Sequence, residues 1–504
     1  MAIPLFNSIA SWFLKKRIHQ MELFIKYPHE VQYELLMGLV KTAENTEFGK
    51  THNFNTIKSR EDFAKNVPLK SYEDIVEIIE RMRNGEINVL WPTAVKWFAK
   101  SSGTTNAKSK FIPVSNEALE YCHYKASKDL LCLYLNNNPN SELFLGKSLR
   151  LGGSKEIFED KNTFYGDLSA ILIENMPAWA EFSSTPSSKT SLMGDWEHKL
   201  PAIVNETTKE NVTSLAGVPS WMLVLLNKIL ETTAAESLNE FWPNAEVYFH
   251  GGVSFEPYRE QYRKLFPNPK FQFYEIYNAS EGFFAIQDKN DSDELLLMLD
   301  YGIYYEFIPM STFGSEKQTV ISLSEVEIGV NYALVISTNS GLWRYIIGDT
   351  IRFTNTTPYR IKVTGRTKHH INVFGEELMI ENTEKALALT CSALQCSIKE
   401  YTVAPVFMIE KEKGGHEWLV EFENPPESEA EFAQLLDKNL QQINSDYEAK
   451  RHLNMTLNPL KLNVAREGLF YDWLKKQDKL GGQNKVPRLS NQRDFIELLL
   501  QTNF

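Results

Sequence analysis

Between residues 29 and 46 the apolar positions Val31, Leu35, Leu39 and Ala43 recur every four residues, the stripe of an amphipathic helix laid against a core. From about residue 240 the texture changes. Residues 246–249, 271–277, 332–338 and 342–347 are short runs of aromatic and β-branched residues, several closed by glycine or a polar turn residue, which predicts strands. Helical patterns at 218–229 and 256–265 lie among them, and a last amphipathic helix is expected over 495–500. Strands and helices therefore alternate, and the expected fold class is mixed α/β. Residues 364–370, a polar stretch after a strand-like run at 360–363, suit an exposed connection between two bodies. That places one domain at 1–367 and a second at 368–504, the latter of a length suited to a small α+β unit.

Composition narrows the reading. A chain of 504 residues holds about two to four domains, or one large domain with a smaller companion. Apolar residues make up 43% and charged residues 23%, ordinary globular usage that argues against disorder. The net charge of −12 argues against nucleic acid or an anionic membrane as partner, because both need a basic footprint. The four cysteines, Cys122, Cys132, Cys391 and Cys396, show no two-residue spacing and are expected to be reduced core thiols. The charges Lys15, Lys16 and Arg17 follow the apolar opening stretch instead of preceding it, unlike a signal peptide. The longest apolar runs, such as 221–226, fall well short of the roughly 18 residues that span a bilayer. A cytoplasmic, soluble monomer is expected.

Three segments carry candidate chemistry. In the first, Ser101, Ser102, Gly103, Thr104 and Thr105 lie between lysines at 100, 108 and 110. Closely spaced hydroxyl and backbone N–H donors beside positive charge suit a polyphosphate, although the same letters also make a solvated turn. The loop is not a Walker loop, since no glycine precedes Lys108. In the second, Tyr277, Asn278, Ala279, Ser280 and Glu281 close a strand-like run. A tyrosine can stack on a purine and a glutamate can hold a hard divalent cation, or the segment is an edge strand with an exposed acid. In the third, an apolar strand over 342–347 is expected to end in a Gly348-Asp349 turn, where the aspartate accepts from ribose hydroxyls or caps the turn. Gly251 and Gly252 after His250 either pass a nucleotide by their backbone or merely turn the chain. His369 and His370, adjacent on an extended segment, point apart and make a poor metal pair.

In order and character these segments resemble the adenylate-forming superfamily of acyl-CoA synthetases, peptide-synthetase adenylation domains and luciferases. The segment Gly365-Arg366-Thr367-Lys368, with Ile371 and Gly375, is similar to that superfamily's hinge, and 483–488 is similar to its Gly-Lys-x-x-Arg motif. The closer resemblance, over nearly the whole chain, is to the auxin-responsive acyl-acid amido synthetases and their bacterial branch. It is carried by 46–52, 67–73, Leu90-Trp91-Pro92 leading into 101–105, 109–115, 305–309 and 341–349. Asn278 departs from the glycine usual in bacterial relatives, and 106–110 depart from the plant pattern.

The resemblance implies a large N-terminal domain of sheets flanked by helices, with a β-barrel-like part, followed by a smaller mobile C-terminal α+β domain. It implies ATP and Mg²⁺ as cofactors, and a carboxylic acid and an amine, an amino acid, as substrates. Ser101 to Thr105 would take the phosphates, Gly252, Val253 and Tyr277 to Ser280 the adenine, Asp349 the ribose, Arg366 the ribose or a phosphate, and Glu281 the magnesium. Lys485 would be the catalytic lysine and Lys368 the hinge. Apolar residues between Tyr121 and Tyr134 and around 218–222 are candidates for the acyl pocket. An acyl-CoA ligase, which shares the first step, and a non-catalytic nucleotide sensor or scaffold are the alternatives.

Overall fold

The structure is a computed structural model that describes residues 16–101, 110–151, 158–160, 163–176, 178–193, 196–252, 255, 258–367, 371, 378–406, 414–444, 447–448, 451, 457–477, 486–490 and 492–503. The chain divides into two compact units. One comprises 1–252, 264–347 and 351–362; the other comprises 253–263, 348–350 and 363–504.

The first unit opens with helix α1 (Pro28–Ala43), whose proline occupies the first turn, where its missing N–H costs nothing. The buried stripe is Gln32, Leu36, Leu39, Val40 and Ala43, while Val31 and Leu35 pack only partly against the core. The apolar spacing thus located the helix but put its contact line slightly off. The reason is Gln32: its amide donates to the carbonyls of Leu299 at 2.8 Å and Ile303 at 2.9 Å and accepts from the N–H of Tyr305 at 2.9 Å, so a polar residue sits at the centre of the contact.

A four-stranded sheet in the order β2-β1-β5-β4 is formed by β1 (Trp97–Ser101), β2 (Lys110–Val114), β4 (Phe158–Asp160) and β5 (Thr163–Gly166). A twelve-stranded sheet dominates the unit. Its parallel half comprises β3 (Lys147–Arg150), β6 (Ser184–Thr185), β7 (Val212–Gly217), β8 (Val247–Gly251) and β9 (Gln272–Ala279), in the order β9-β8-β7-β3-β6. The remaining strands are β10 (Gly282–Ile286), β11 (Leu295–Leu297), β12 (Ile303–Pro309), β13 (Ile321–Ser322), β14 (Asn331–Thr338), β15 (Tyr345–Thr356) and β16 (Tyr359–Arg366). Their order from the edge is β13-β12-β14-β15-β16-β11-β10-β9. Antiparallel pairing begins at β9–β10.

The barrel-like part expected here is not a closed barrel among the described residues. The two ends of the sheet, β13 and β6, are two-residue strands that do not pair with each other, and closure requires that pairing.

One face of the parallel half is covered by α2 (Lys125–Asn137), which follows a π-helical turn (Leu119–Tyr124), while α3 (Leu168–Glu174) packs against β1 and β5 of the four-stranded sheet. Tyr134 of α2 meets Phe249 and Tyr274 edge to face at 5.7 and 5.2 Å. The helix expected over 218–229 is α4 (Pro219–Thr233).

The second unit carries a three-stranded sheet of β17 (Ser397–Val406), β18 (Gly415–Asn424) and β19 (Lys461–Val464). Helices α5 (Ile380–Leu394) and α6 (Glu429–Ile443) contribute Ala386, Leu387, Phe432, Leu436 and Leu440 to a core around Trp418. The last amphipathic helix is α7 (Asp494–Thr502).

Two expectations are corrected. The strand expected at 342–347 starts only at Tyr345, because Gly341 and Arg344 both take positive φ, 87° and 44°, and turn the chain first. The strand then runs through Gly348-Asp349 to Thr356 instead of ending in a turn there. Gly348 makes this possible: at φ 92° it bends the strand in a conformation that side chains rarely adopt. Likewise 364–366 continue β16, and Thr364 and Thr367 are buried, so the presumed connection begins as paired strand.

Candidate active site

Ala279 pairs directly with Gly282 across the β9–β10 hairpin, so Ser280 and Glu281 alone form its turn. Asn278 to Glu281 are half-buried at this end. Tyr274 is fully buried, its hydroxyl held by the Asn137 amide at 3.0 Å and by Asn290. Tyr277 is also buried, its ring on that of Phe284 at 4.8 Å.

The hairpin has an outside support that spacing did not reveal. The N–H of Phe283 donates to Cys122 Sγ at 3.2 Å, and the thiol faces the Phe283 carbonyl at 3.9 Å. Burial pushes the Cys122 thiol up to about 12, so it stays protonated and serves as a hydrogen-bonding group. Next to it, burial alone holds His123 down at about 4, a neutral imidazole in the interior. Both lie on the π-helical turn, a distortion frequent at functional sites. All four cysteines are unpaired.

The hydroxyl-rich segment joins the strands of another hairpin. In β1 and β2, Trp97 opposes Val114 and Ser101 opposes Lys110. Ser101 is thus the last residue of β1, while Ser102, Gly103, Thr104 and Thr105 lie outside the described residues. The frame around them is firm: Phe98 and Ala99 are fully buried, the Phe111 N–H donates to the Tyr72 hydroxyl at 2.8 Å, and the Arg83 guanidinium lies 3.6 Å from the Phe111 ring centre. At the end of β8, a Cβ on Gly251 would stand 2.5 Å from the Ile276 carbonyl oxygen. That glycine is required by the close approach of β9. Gly252 follows with φ 83°, and Val253 lies outside the described residues.

In the second unit Arg366 Nε lies 2.8 Å from Asp349 Oδ1. The two residues expected to meet ribose are therefore brought together, with the carboxylate buried and the guanidinium half-exposed. The Thr367 N–H donates to the Gly348 carbonyl at 2.7 Å, and Thr364 and Thr350 share a hydroxyl hydrogen bond of 3.0 Å. Lys368, His369, His370 and Lys485 lie outside the described residues.

Three residues beyond Lys485, Arg488 is anchored by Glu384 at 2.5 Å, Glu400 at 3.0 Å and the Tyr258 hydroxyl at 2.7 Å. The segment around it pairs with β17 through the Val403 N–H to Arg488 carbonyl and Ser490 N–H to Val403 carbonyl bonds. The motif's arginine thus fixes the chain beside the lysine, a role that spacing alone did not assign.

The stretches that distinguish the amido synthetase branch converge on one buried knot in the first unit. The Trp343 indole donates to the Leu90 carbonyl at 3.1 Å, stacks on Phe48 at 6.2 Å and meets Phe54 edge to face at 4.8 Å. Arg344 forms a two-pronged pair with Glu306 at 2.9 and 3.1 Å and donates to the carbonyls of Ala64 and Val67 at 3.0 and 2.8 Å. Lys70 bridges to both Arg344 and Ile346 through its backbone. These letters are structural: they fix the start of β15.

Among the described residues, no helix is long and apolar enough to cross a membrane, and no group of three or more His, Cys, Asp or Glu is placed to hold a metal.

The architecture is that of the adenylate-forming enzymes. A solved structure of 2-hydroxyisobutyryl-CoA ligase in its postadenylation state superposes with a TM-score of 0.59 at 12% identity, covering 94% of this chain and 91% of that one. The "GH3.15 acyl acid amido synthetase" superposes with a TM-score of 0.79 at 17% identity, covering 96% and 95%. The N-terminal, central and C-terminal domain models of the GH3 family match residues 17–271, 296–366 and 381–494, and the chain belongs to that family. Among its relatives are indole-3-acetic acid-amido synthetase GH3.4 of Arabidopsis thaliana, 22% identical over 96% of this chain and 93% of the relative, and jasmonoyl-L-amino acid synthetase GH3.5 of Oryza sativa subsp. japonica, 24% identical over 95% of each. A third, the 4-substituted benzoates-glutamate ligase GH3.12 of Arabidopsis thaliana, is 23% identical over 93% and 94%.

Proposed function

We propose that the protein is an ATP-dependent acyl-acid amido synthetase. In the first step a carboxylate oxygen attacks the α-phosphorus of ATP and pyrophosphate leaves; in the second the amine of an amino acid attacks the acyl carbon, AMP leaves and the amine loses a proton. The observation that carries this reading is the match of all three GH3 domain models along the chain.

The residues suit the chemistry. Glu281, in a half-buried two-residue turn, is the single carboxylate that a Mg²⁺ ion needs from the protein when phosphates and water complete its shell. Such an ion would neutralise charge on the leaving pyrophosphate. Ser101 to Thr105 would orient the β- and γ-phosphates, and Gly252, Val253 and Tyr277 to Ser280 would line the adenine. The Asp349 carboxylate, already oriented by Arg366, would accept from the ribose hydroxyls. Lys485 would bring its ammonium to the α-phosphate and carboxylate oxygens as negative charge grows there. In this reading residues 1–367 bind ATP and acid, and 368–504 move about Lys368 between the two steps, acting as a single polypeptide in the cytoplasm.

Pyrophosphate release from ATP and Mg²⁺ is measured with a panel of aryl and aliphatic acids, with and without amino acids or CoA, and the products are weighed by mass spectrometry. An amide is expected. A thioester would place the protein with the CoA ligases, and tight ATP binding without release would leave only a nucleotide sensor or scaffold. Lys485→Ala should keep the fold and lose about 10² to 10³ in adenylation rate, the usual cost of one preorganised donor. Near-normal release by the folded variant would remove Lys485 from its role.

A further inference from the structure

Arg150 ends β3 in the parallel half of the large sheet. Registered neighbours in a parallel sheet share a face. Arg150 pairs with Ala216, Ala216 with Phe249 and Phe249 with Tyr274, so its side chain leaves the sheet on the face that Tyr134 of α2 covers. There its Nη1 lies 3.1 Å from the Met176 sulfur, just beyond α3. Helix α3 is tied in turn to the π-helical turn by the Tyr124 hydroxyl, which donates to the Leu172 carbonyl at 3.2 Å. Among the described residues no carboxylate approaches the Arg150 guanidinium.

This arrangement is costly for a cation. Burial lowers the Arg150 pKa with no acid to oppose it, and a thioether is only a weak acceptor. A half-buried guanidinium with no acid beside it among the described residues is open to an anion, and the fork geometry selects a carboxylate or a phosphate. The position is equally telling. Ligands of open α/β sheets bind beyond the carboxyl ends of parallel strands, and Arg150 is at that end of β3. From β3 to β9, which carries Tyr277 to Ala279, there are three strand spacings, about 14 Å. A group so placed reads the far end of a substrate and not the carboxylate or phosphate that reacts beside β9.

We propose that Arg150 is a specificity residue that binds a second carboxylate of the substrates, one that is not activated. This rests on the amido synthetase reading above. The carboxylate is either the α-carboxylate of the amino acid or the distal carboxylate of a dicarboxylic acyl acid.

The test compares wild type with Arg150→Gln and Arg150→Lys. Amide formation is measured with the twenty L-amino acids against their α-amides, and pyrophosphate release with dicarboxylic acids of four to six carbons against their monomethyl esters. For Arg150→Gln, KM should rise about a hundredfold for the carboxylate-bearing member of one pair type and less than threefold for its neutral partner, with kcat changing less than KM. The affected pair identifies the source of the carboxylate. Arg150→Lys keeps the charge but loses the fork and should show the same selectivity about tenfold weaker, which serves if the glutamine variant does not fold. Equal effects on charged and neutral partners, no effect in either folded variant, or a rise confined to the KM for ATP would overturn the proposal. If wild type shows no acid-dependent release, the amido synthetase reading fails by itself. Arg150 is then judged by calorimetric titration of the same pairs, and equal affinity of wild type and variants for the charged members overturns it.

Discussion

Two guanidiniums at the large sheet are treated in opposite ways. On the sheet's antiparallel side, just before β15, Arg344 is saturated by Glu306 and two backbone carbonyls, with aromatic rings packed around the preceding residue, Trp343. In its parallel half Arg150 has a sulfur atom at 3.1 Å and no acid among the described residues. The difference is one of purpose. A charge fully met by its own chain stores no capacity for a ligand and specifies geometry; a charge left unmet at a strand end keeps that capacity. The antiparallel side holds the charge that its own chain meets, and the parallel side the one with no acid among the described residues.

The strongest way to break this comparison is to unpair Arg344. Glu306→Ala leaves a buried cation without its partner, and stability should fall by about 3 to 5 kcal/mol. Chemical denaturation measures it; a loss below about 1 kcal/mol would mean that the knot is not what holds β15.

The next effect depends on pH and belongs to the π-helical turn before α2. The folded chain holds His123 near 4, against an ordinary value of about 6.5, so the unfolded chain takes up the proton first. Stability contributed by this group is whole above about 6.5, declines as pH falls and is lost by about 4, a total of about 3 kcal/mol. His123→Leu should flatten the decline in melting temperature between pH 7 and pH 4.5; an unchanged slope would place the acid sensitivity elsewhere.

The smallest effect sharpens the comparison locally. Cys122→Ala strands the buried Phe283 N–H and should cost about 1 to 3 kcal/mol. It should also raise the KM for Mg-ATP by loosening the Glu281 turn, and Cys122→Ser should restore part of both. A variant with full ATP affinity would make Cys122 a mere core residue.

What the sequence made legible is what periodicity and local chemistry encode. The stripe in α1, the aromatic strands β8, β9 and β14, and the strand end carrying Tyr277 to Glu281 follow from apolar spacing and turn letters. Several details out of reach of spacing involve polar residues whose partners are distant. Gln32 breaks the apolar stripe, and its backbone partners, Leu299 and two residues of β12, lie 267 to 273 residues away. Cys122 reads as core filler until Phe283 arrives, and Arg488 as a motif letter until Glu384 and Glu400 surround it. The Gly348-Asp349 turn was misjudged because a glycine that usually ends a strand here bends one. The Trp343 and Arg344 letters marked the family branch in the sequence, yet only packing shows that their service is architectural.

The hairpin turn of Ser280 and Glu281 has a further consequence, for lengths. Because Ala279 and Gly282 face each other directly, the turn is also a counter: side chains alternate sides along a strand. One residue inserted between 279 and 282 would exchange the two faces of β10, and because all five of its residues are buried each of them would have to be repacked. A change of length in this turn therefore disturbs the packing of a whole strand, whereas a change of letter at Ser280 or Glu281 acts only where that side chain stands.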